Sequence, residues 1–346
     1  MKKRLVLFAA LLTALTMFFS CAGAEKAAVN VAFLKGPTGM GAAKLMADAD
    51  AGTTQNAYSF TLVGAADVVT GQLVSGELDM AALPTNAIAA LYQKTEGGVQ
   101  ALAVNTLGVL YVLERGESVQ ALSDLDGKTI LSSGQGSTAE AVLNYLLAAA
   151  GVTANVEYVA EHSEVVAKAT AENSEYDVVL LPEPFVTMMG MQAPDFRVAL
   201  NLTEEWNRQG AGLLPMGGIA VRREFAEENP EAVAAFLEEY AASVEWVNAN
   251  AEEAATLIEQ YDIMKAAVAK NAIPRANMVC LTGDAMRMVL ENFYGVLEGF
   301  NVKLIGGAAP GEDFYYGASG EGASVAVIGG ADGPTAIYVA PTESGK

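Results

Sequence analysis

Reactive side chains are scarce in this chain. It has one histidine, His162, two cysteines, Cys21 and Cys280, and two tryptophans, Trp206 and Trp246, among 346 residues. None of the spacings HExxH, GxSxG, CxxC or a P-loop occurs. Those absences remove the metal, nucleophile, dithiol and phosphate-loop chemistries that a sequence announces by motif. Basic residues are few: 20 Lys and Arg stand against 41 Asp and Glu, a formal net charge of −21. So acidic a chain does not hold nucleic acid or anionic lipid by electrostatics. Many carboxylates fall in runs such as EFAEENPE, which read as solvated helix faces. His162, in VAEHSEVV, reads as a solvated or capping residue near a helix start. No enzyme, no cofactor and no metal site is expected.

At the N-terminus, Lys2, Lys3 and Arg4 precede the apolar run LVLFAALLTALTMFF and then small residues. The run is too short and too N-terminal for a permanent membrane span, so residues 1–20 read as an export signal peptide. Two processing sites compete. Ser20-Cys21 resembles a lipoprotein site, which makes Cys21 the lipid attachment point, although Phe18 and Phe19 depart from the usual residues there. Ala22-Gly23-Ala24 before Glu25 fits ordinary signal peptidase. Removing residues 1–20 takes away three basic groups and no acidic one, so −21 becomes −24. With Cys21 lipidated, Cys280 has no partner for a disulfide and reads as a small buried apolar residue.

Strand-like and helix-like runs alternate through most of the chain, which argues for α/β layers. Strands are predicted near 29–35, 58–63, 78–83, 99–104, 108–114, 128–132, 154–159, 176–181, 196–200 and 217–222. Helices are predicted near 40–49, 66–75, 86–94, 137–150, 163–172 and 183–190. After 222 the pattern turns helical, with 230–248, 251–260, 265–271 and 283–298. In 230–248, Pro230 suits a first turn, and Val233, Phe236, Leu237, Tyr240, Val244 and Val247 share one face. Two segments look like crossings between lobes: VNTLG at 104–108 and GAGLLPMGG at 210–218. The expected architecture is a two-lobed α/β fold with mixed sheets and two hinge crossings. Lobe 1 takes 27–104 plus 217–300, lobe 2 takes 107–212, and 306–346 is a flexible Gly/Ala-rich tail. A cleft between such lobes closes over a ligand.

Four loops are candidates for that cleft. In VNVAFLKGPTGMG (29–41), an alternating strand runs into glycines and then a helix, whose unpaired N–H groups suit a ligand. In DMAALPTNAI (79–88), Thr85 and Asn86 cap a helix or donate to a ligand. In TILSSGQGSTAEAV (129–142), Ser132, Ser133, Gln135, Ser137 and Thr138 crowd a helix start, and Ser137 with Glu140 fits a capping box. In YDVVLLPEPF (176–185), Glu183 follows a buried strand, either as an acceptor at the cleft mouth or as a helix-start acid. Met188, Met189 and Met191 read as core packing or as a soft pocket wall.

The segments LKGPTGMGAAKLM, ALSDLDGKTILSSGQGSTAE, YDVVLLPEPFV and RREFAEENPEAVAAFLEEY resemble solute-binding proteins of bacterial ABC importers. The branch is the one that includes nitrate, taurine, alkanesulfonate and thiamine-precursor binders, and the resemblance covers roughly residues 27–300. It implies a type II periplasmic-binding-protein-like fold and a non-catalytic, monomeric protein. Such a protein lies outside the cytoplasmic membrane, lipid-anchored or periplasmic, and serves an ABC permease and its ATPase. It also implies ligand contacts from Thr38, Gly39 and Met40, from Thr85 and Asn86, from Ser133, Gln135, Ser137 and Thr138, and from Glu183. With no arginine in those loops, and with Glu183 repelling anions, an amine-bearing ring such as a pyrimidine is expected over a sulfonate. A ligand-sensing lipoprotein that presents its closed form to a membrane receptor is the alternative. In the tail, SVAVIGGADGPTAIYVA (324–340) resembles a segment of the beta subunit of sodium-pumping decarboxylases, in which the residue matching Asp332 is implicated in sodium transport. Without the rest of that machinery, a flexible appendage or a β-hairpin is expected there.

Overall fold

A computed structural model describes residues 26–319, 323–330 and 333–341. The expected signal peptide, Cys21 and Asp332 lie outside the described residues. Along the chain, the first part holds β1 (Ala28–Leu34), α1 (Pro37–Gly41), α2 (Ala43–Asp50), β2 (Ala57–Val63), α3 (Asp67–Ser75), β3 (Met80–Pro84), α4 (Thr85–Lys94) and β4 (Val99–Thr106). The middle holds β5 (Leu110–Arg115), β6 (Thr129–Ser133), α5 (Thr138–Ala150), β7 (Asn155–Val159), α6 (His162–Ala169), β8 (Val178–Pro182), α7 (Phe185–Gln192), β9 (Phe196–Asn201) and α8 (Leu202–Arg208). The last part holds β10 (Gly217–Arg222), α9 (Arg223–Glu228), α10 (Pro230–Ala249), α11 (Ala251–Gln260), α12 (Ala266–Ala272), β11 (Met278–Leu281) and α13 (Gly283–Asn301).

The ten strand-like runs of the sequence are β1 to β10, and they form two sheets. One has the order β11-β4-β10-β3-β1-β2, the other β7-β6-β8-β5-β9. β1 runs parallel to β2 and β3, and β6 parallel to β7 and β8. β5 and β10, the first strands after each passage between sheets, run antiparallel to both their neighbours. Only residues 107–109 separate β4 from β5. So short a link cannot hold the crossover a parallel neighbour needs, and the chain leaves for the other sheet. The return passes through 209–216.

Buried strands such as β8, apolar at Val178, Val179, Leu180 and Leu181, are covered on both faces by helices. In α10, Val233, Phe236, Tyr240, Val244 and Val247 are buried, while Leu237 is partly buried. Ser243 on this face donates to the Gly41 carbonyl at 2.7 Å and accepts from Leu45 N at 3.0 Å, which satisfies backbone groups at the break between α1 and α2.

Four stretches depart from the expected pattern. β11, α8 and α9 are too short to show a period. Residues 306–319, expected within a flexible tail, pack on lobe 1. Phe314 is buried against Tyr92 and Tyr294, and Asp313 pairs with Arg223 at 2.7 Å. Beyond them, β12 (Ala323–Gly330) and β13 (Gly333–Pro341) pair as an antiparallel hairpin.

Candidate functional site

Between the two sheets lies a cavity of about 820 Å³. Its walls come from the carboxyl ends of strands in both lobes: Leu34 of β1, Leu83 and Pro84 of β3, Val159 of β7 and Pro182 of β8. Thr106, Val109, Leu110, Met216 and Gly217, at the crossings, complete it. Loops leaving parallel strands converge at these ends, which is where open α/β sheets hold ligands.

Four of the residues predicted from sequence line this cavity: Thr38, Gln135, Ser137 and Thr138. Thr38 is occupied locally, with its hydroxyl 3.2 Å from both Leu34 N and Leu34 O. Gln135 is exposed at the loop between β6 and α5. That loop turns at Gly134 (φ 71°) and Gly136 (φ 80°), in the region open to glycine. Ser137 caps α5 by accepting from Ala139 N at 3.2 Å. The Glu140 carboxylate accepts from Gly136 N and not from Ser137 N, so the expected capping box closes one residue earlier.

The other six do not line the cavity. A Cβ at Gly39 would stand 2.6 Å from the Leu34 carbonyl oxygen, so this glycine serves the close packing of α1 on β1. Met40 is buried in the core. Thr85 donates to Pro215 O at 2.7 Å. Asn86 donates to Gly136 O at 2.8 Å, and its Oδ1 accepts from Thr138 at 3.0 Å. Asn86 therefore grips the opposite lobe and Thr85 the return crossing, and neither caps α4, whose N-cap is Pro84. Glu183, predicted at the cleft mouth or as a helix-start acid, is fully buried, where it pairs with Arg275 at 2.8 Å and, as the second reading has it, accepts from Thr187 N in the first turn of α7 at 3.1 Å. Burial pushes its pKa up, against the opposing pull of Arg275 and Thr187. Ser133 is buried beside His162. Of the methionines, Met189 is in the core, Met191 is exposed, and Met188 lines an adjoining groove of about 240 Å³.

His162 is the residue that the sequence undervalues. It is the first residue of α6, with Glu161 as N-cap, and it lines both the cavity and the groove. Its Nδ1 bonds to the Ser133 hydroxyl, and its ring lies 5.1 Å from that of Phe185. Burial pushes its pKa down to about 4, so the ring is neutral at neutral pH. The available signal was the β7–α6 turn itself, which follows a strand as the other loops do but carries no glycine.

Among the described residues, the charged side chains lining the cavity are Asp67 and Glu161, both acidic, with neither Lys nor Arg. Glu161, from the middle lobe, lies so close to Gly64 of the other lobe that a side chain there would collide with its carboxylate. Burial, helped by the charge of Glu140, pushes the Tyr158 phenol up, so it stays a hydrogen-bond donor. Among the described residues no helix is long and apolar enough to cross a membrane.

The profile of the menaquinone biosynthesis family matches residues 57–277. The chain belongs to this family. The matched span includes both crossings and the cavity residues from Gly64 to Gly217; β1 and Thr38 precede it. This menaquinone biosynthesis family member shares its fold with solute-binding proteins of known structure. An ABC transporter structure from Parabacteroides distasonis is 18% identical, covers 84% of this chain and 99% of its own, and superposes with a TM-score of 0.70. The alkanesulfonate-binding protein of Xanthomonas axonopodis pv. citri, bound to MOPS, is 15% identical over 82% of this chain and 96% of its own, with a TM-score of 0.65. The periplasmic nitrate-binding protein of Synechocystis PCC 6803 is 17% identical over 69% and 67%, with a TM-score of 0.52. The fold is thus that of type II periplasmic binding proteins, as the resemblance to that family implies. No curated protein sequence matches the chain.

Proposed function

We propose that this protein captures a small organic solute between its lobes outside the cytoplasmic membrane and delivers it to an ABC permease and its ATPase. Lipid on Cys21 tethers it there. One observation carries this reading: the cavity draws its walls from both lobes and from both crossings. A solute touching all of them favours the closed form, so that capture and closure are one event. The solute-binding proteins that share the fold support it.

The solute is an amine-bearing ring in preference to a sulfonate. Asp67 and Glu161 supply negative charge to the wall, and among the described residues no Lys or Arg lines it to neutralise an anion. Calorimetry with 4-aminopyrimidine and with an alkanesulfonate tests this. Binding of the pyrimidine alone is expected; tight sulfonate binding with no pyrimidine binding overturns it. Mass spectrometry of the mature N-terminus tests the tether, and an unmodified start at Glu25 refutes it.

A second reading, turnover of the captured compound in a biosynthetic route, is favoured by the description of the family itself. The two separate cleanly: a delivered solute is recovered unchanged after incubation with the protein, whereas an enzyme returns a new mass.

A further inference from the structure

We propose that His162 is a fixed hydrogen-bond donor of the cavity, that Ser133 sets its tautomer, and that the pair selects solutes presenting an uncharged acceptor such as a ring nitrogen or carbonyl oxygen. The selection half rests on the capture of a solute in this cavity; the tautomer half does not.

Ser133, at the end of β6, is buried, and its hydroxyl has one hydrogen-bond partner among the described residues, Nδ1 of His162. A hydroxyl brings one proton, and a neutral imidazole brings one N–H and one lone pair. Were Nδ1 protonated, the Ser133 proton would be left buried without an acceptor, which is costly. With Ser133 donating to Nδ1, every group is satisfied and the ring proton sits on Nε2. Burial reinforces this by keeping the ring neutral, so that Nδ1 remains an acceptor.

Nε2 has no hydrogen-bond partner among the described residues. His162 lines the cavity and the groove, whereas Ser133 lines neither. With Nδ1 turned toward Ser133, Nε2–H is the polar group the ring has left to offer a solute. The charged groups around it are Glu161, next in the chain, and four side chains that line the groove. Those four are engaged with one another: Lys35 with Asp262 at 2.7 Å, and Lys265 with Glu259 at 3.2 Å. With those four paired off, Glu161 is the charge that remains, and a single N–H beside it suits a neutral acceptor better than an anion.

The chain has one histidine, so protein labelled with ¹⁵N-histidine reports this ring alone. At pH 7 the expected spectrum shows a protonated Nε2 and a bare Nδ1, in a ratio above about tenfold. In Ser133→Ala the preference collapses to a mixture while the backbone amide spectrum is retained, and Ser133→Thr, which keeps the hydroxyl, keeps Nε2–H. A native ring protonated on Nδ1, or a native mixture, overturns the proposal and leaves the capture reading intact. Saturating 4-aminopyrimidine is then expected to move the Nε2 resonance. Binding seen by calorimetry with Nε2 unmoved overturns the selection role. No binding, with the tautomer as expected, counts against the capture reading and takes the selection half with it.

Discussion

Glu183 and Arg275, which come from different lobes, meet as an ion pair at 2.8 Å, with Thr187 bridging them. Thr187 donates to Glu183 Oε2 at 2.9 Å and accepts from Arg275 at 2.7 Å. Arg275→Met leaves the carboxylate buried without its counter-charge, and a loss of about 3 kcal/mol at pH 7 is expected. The unpaired carboxyl titrates higher in the folded than in the unfolded state, so protonation favours the fold. The deficit therefore narrows as pH falls toward 5. Denaturant midpoints at the two pH values measure it, and a deficit equal at both contradicts the buried carboxylate.

Asn86 and Thr138 hold the lobes together beside the cavity. Asn86→Ala removes the bonds to Gly136 O and from Thr138. At about 1 kcal/mol for each hydrogen bond, the closed form loses roughly 1–2 kcal/mol. Solute affinity should fall about 5- to 30-fold, and small-angle scattering of the unliganded variant should show a larger radius of gyration. Unchanged scattering and affinity would remove Asn86 from lobe closure.

His162 gives the fold a pH dependence of known sign. Its pKa is about 4 when folded and about 6.5 in an unfolded chain. Between these values the unfolded chain binds the extra proton. Stability is thus complete above about pH 6.5 and is lost as pH falls toward 4, by on the order of 2–3 kcal/mol. Compared with His162→Gln, which cannot titrate, the native protein should lose ground on acidification and hold a constant difference above pH 7. Parallel pH curves for the two proteins would refute this.

Phe314 anchors residues 306–319 on lobe 1. Phe314→Ala should cost about 3–4 kcal/mol, because the cavity it leaves lies against Tyr92 and Tyr294. Truncation after Ser319 keeps Phe314 and also the bonds from Ser319 to Asp284, so the thermal midpoint should stay within about 2 °C. A large drop on truncation would show that the removed hairpin supports the fold.

The strands and long helices were legible because their periods are local. Alternation marks β1, an unbroken apolar run marks β8, and the stripe from Val233 to Val247 marks α10. The cavity was half legible. The loop from Gly134 to Thr138 stands out by its glycines and hydroxyls, and it does line the cavity. His162 carries no such local sign, since its importance comes from Ser133 arriving from another strand. Gly39 and Glu183 looked like ligand contacts because glycines and acids after strands often are. One proved to be a close backbone approach and the other half of an ion pair.

By itself, then, the sequence determined the order of strands and helices and the excess of acidic over basic groups. Those depend on neighbours within a few residues or on composition. Tertiary structure alone decided which polar side chains face the cavity and which are consumed in holding the lobes. Asn86 meets Gly136, Glu183 meets Arg275 and Ser133 meets His162 only after long stretches of chain are brought together. A side chain's hydrogen-bonding capacity is fixed by its type; whether any is left for a solute depends on which partners folding brings within reach.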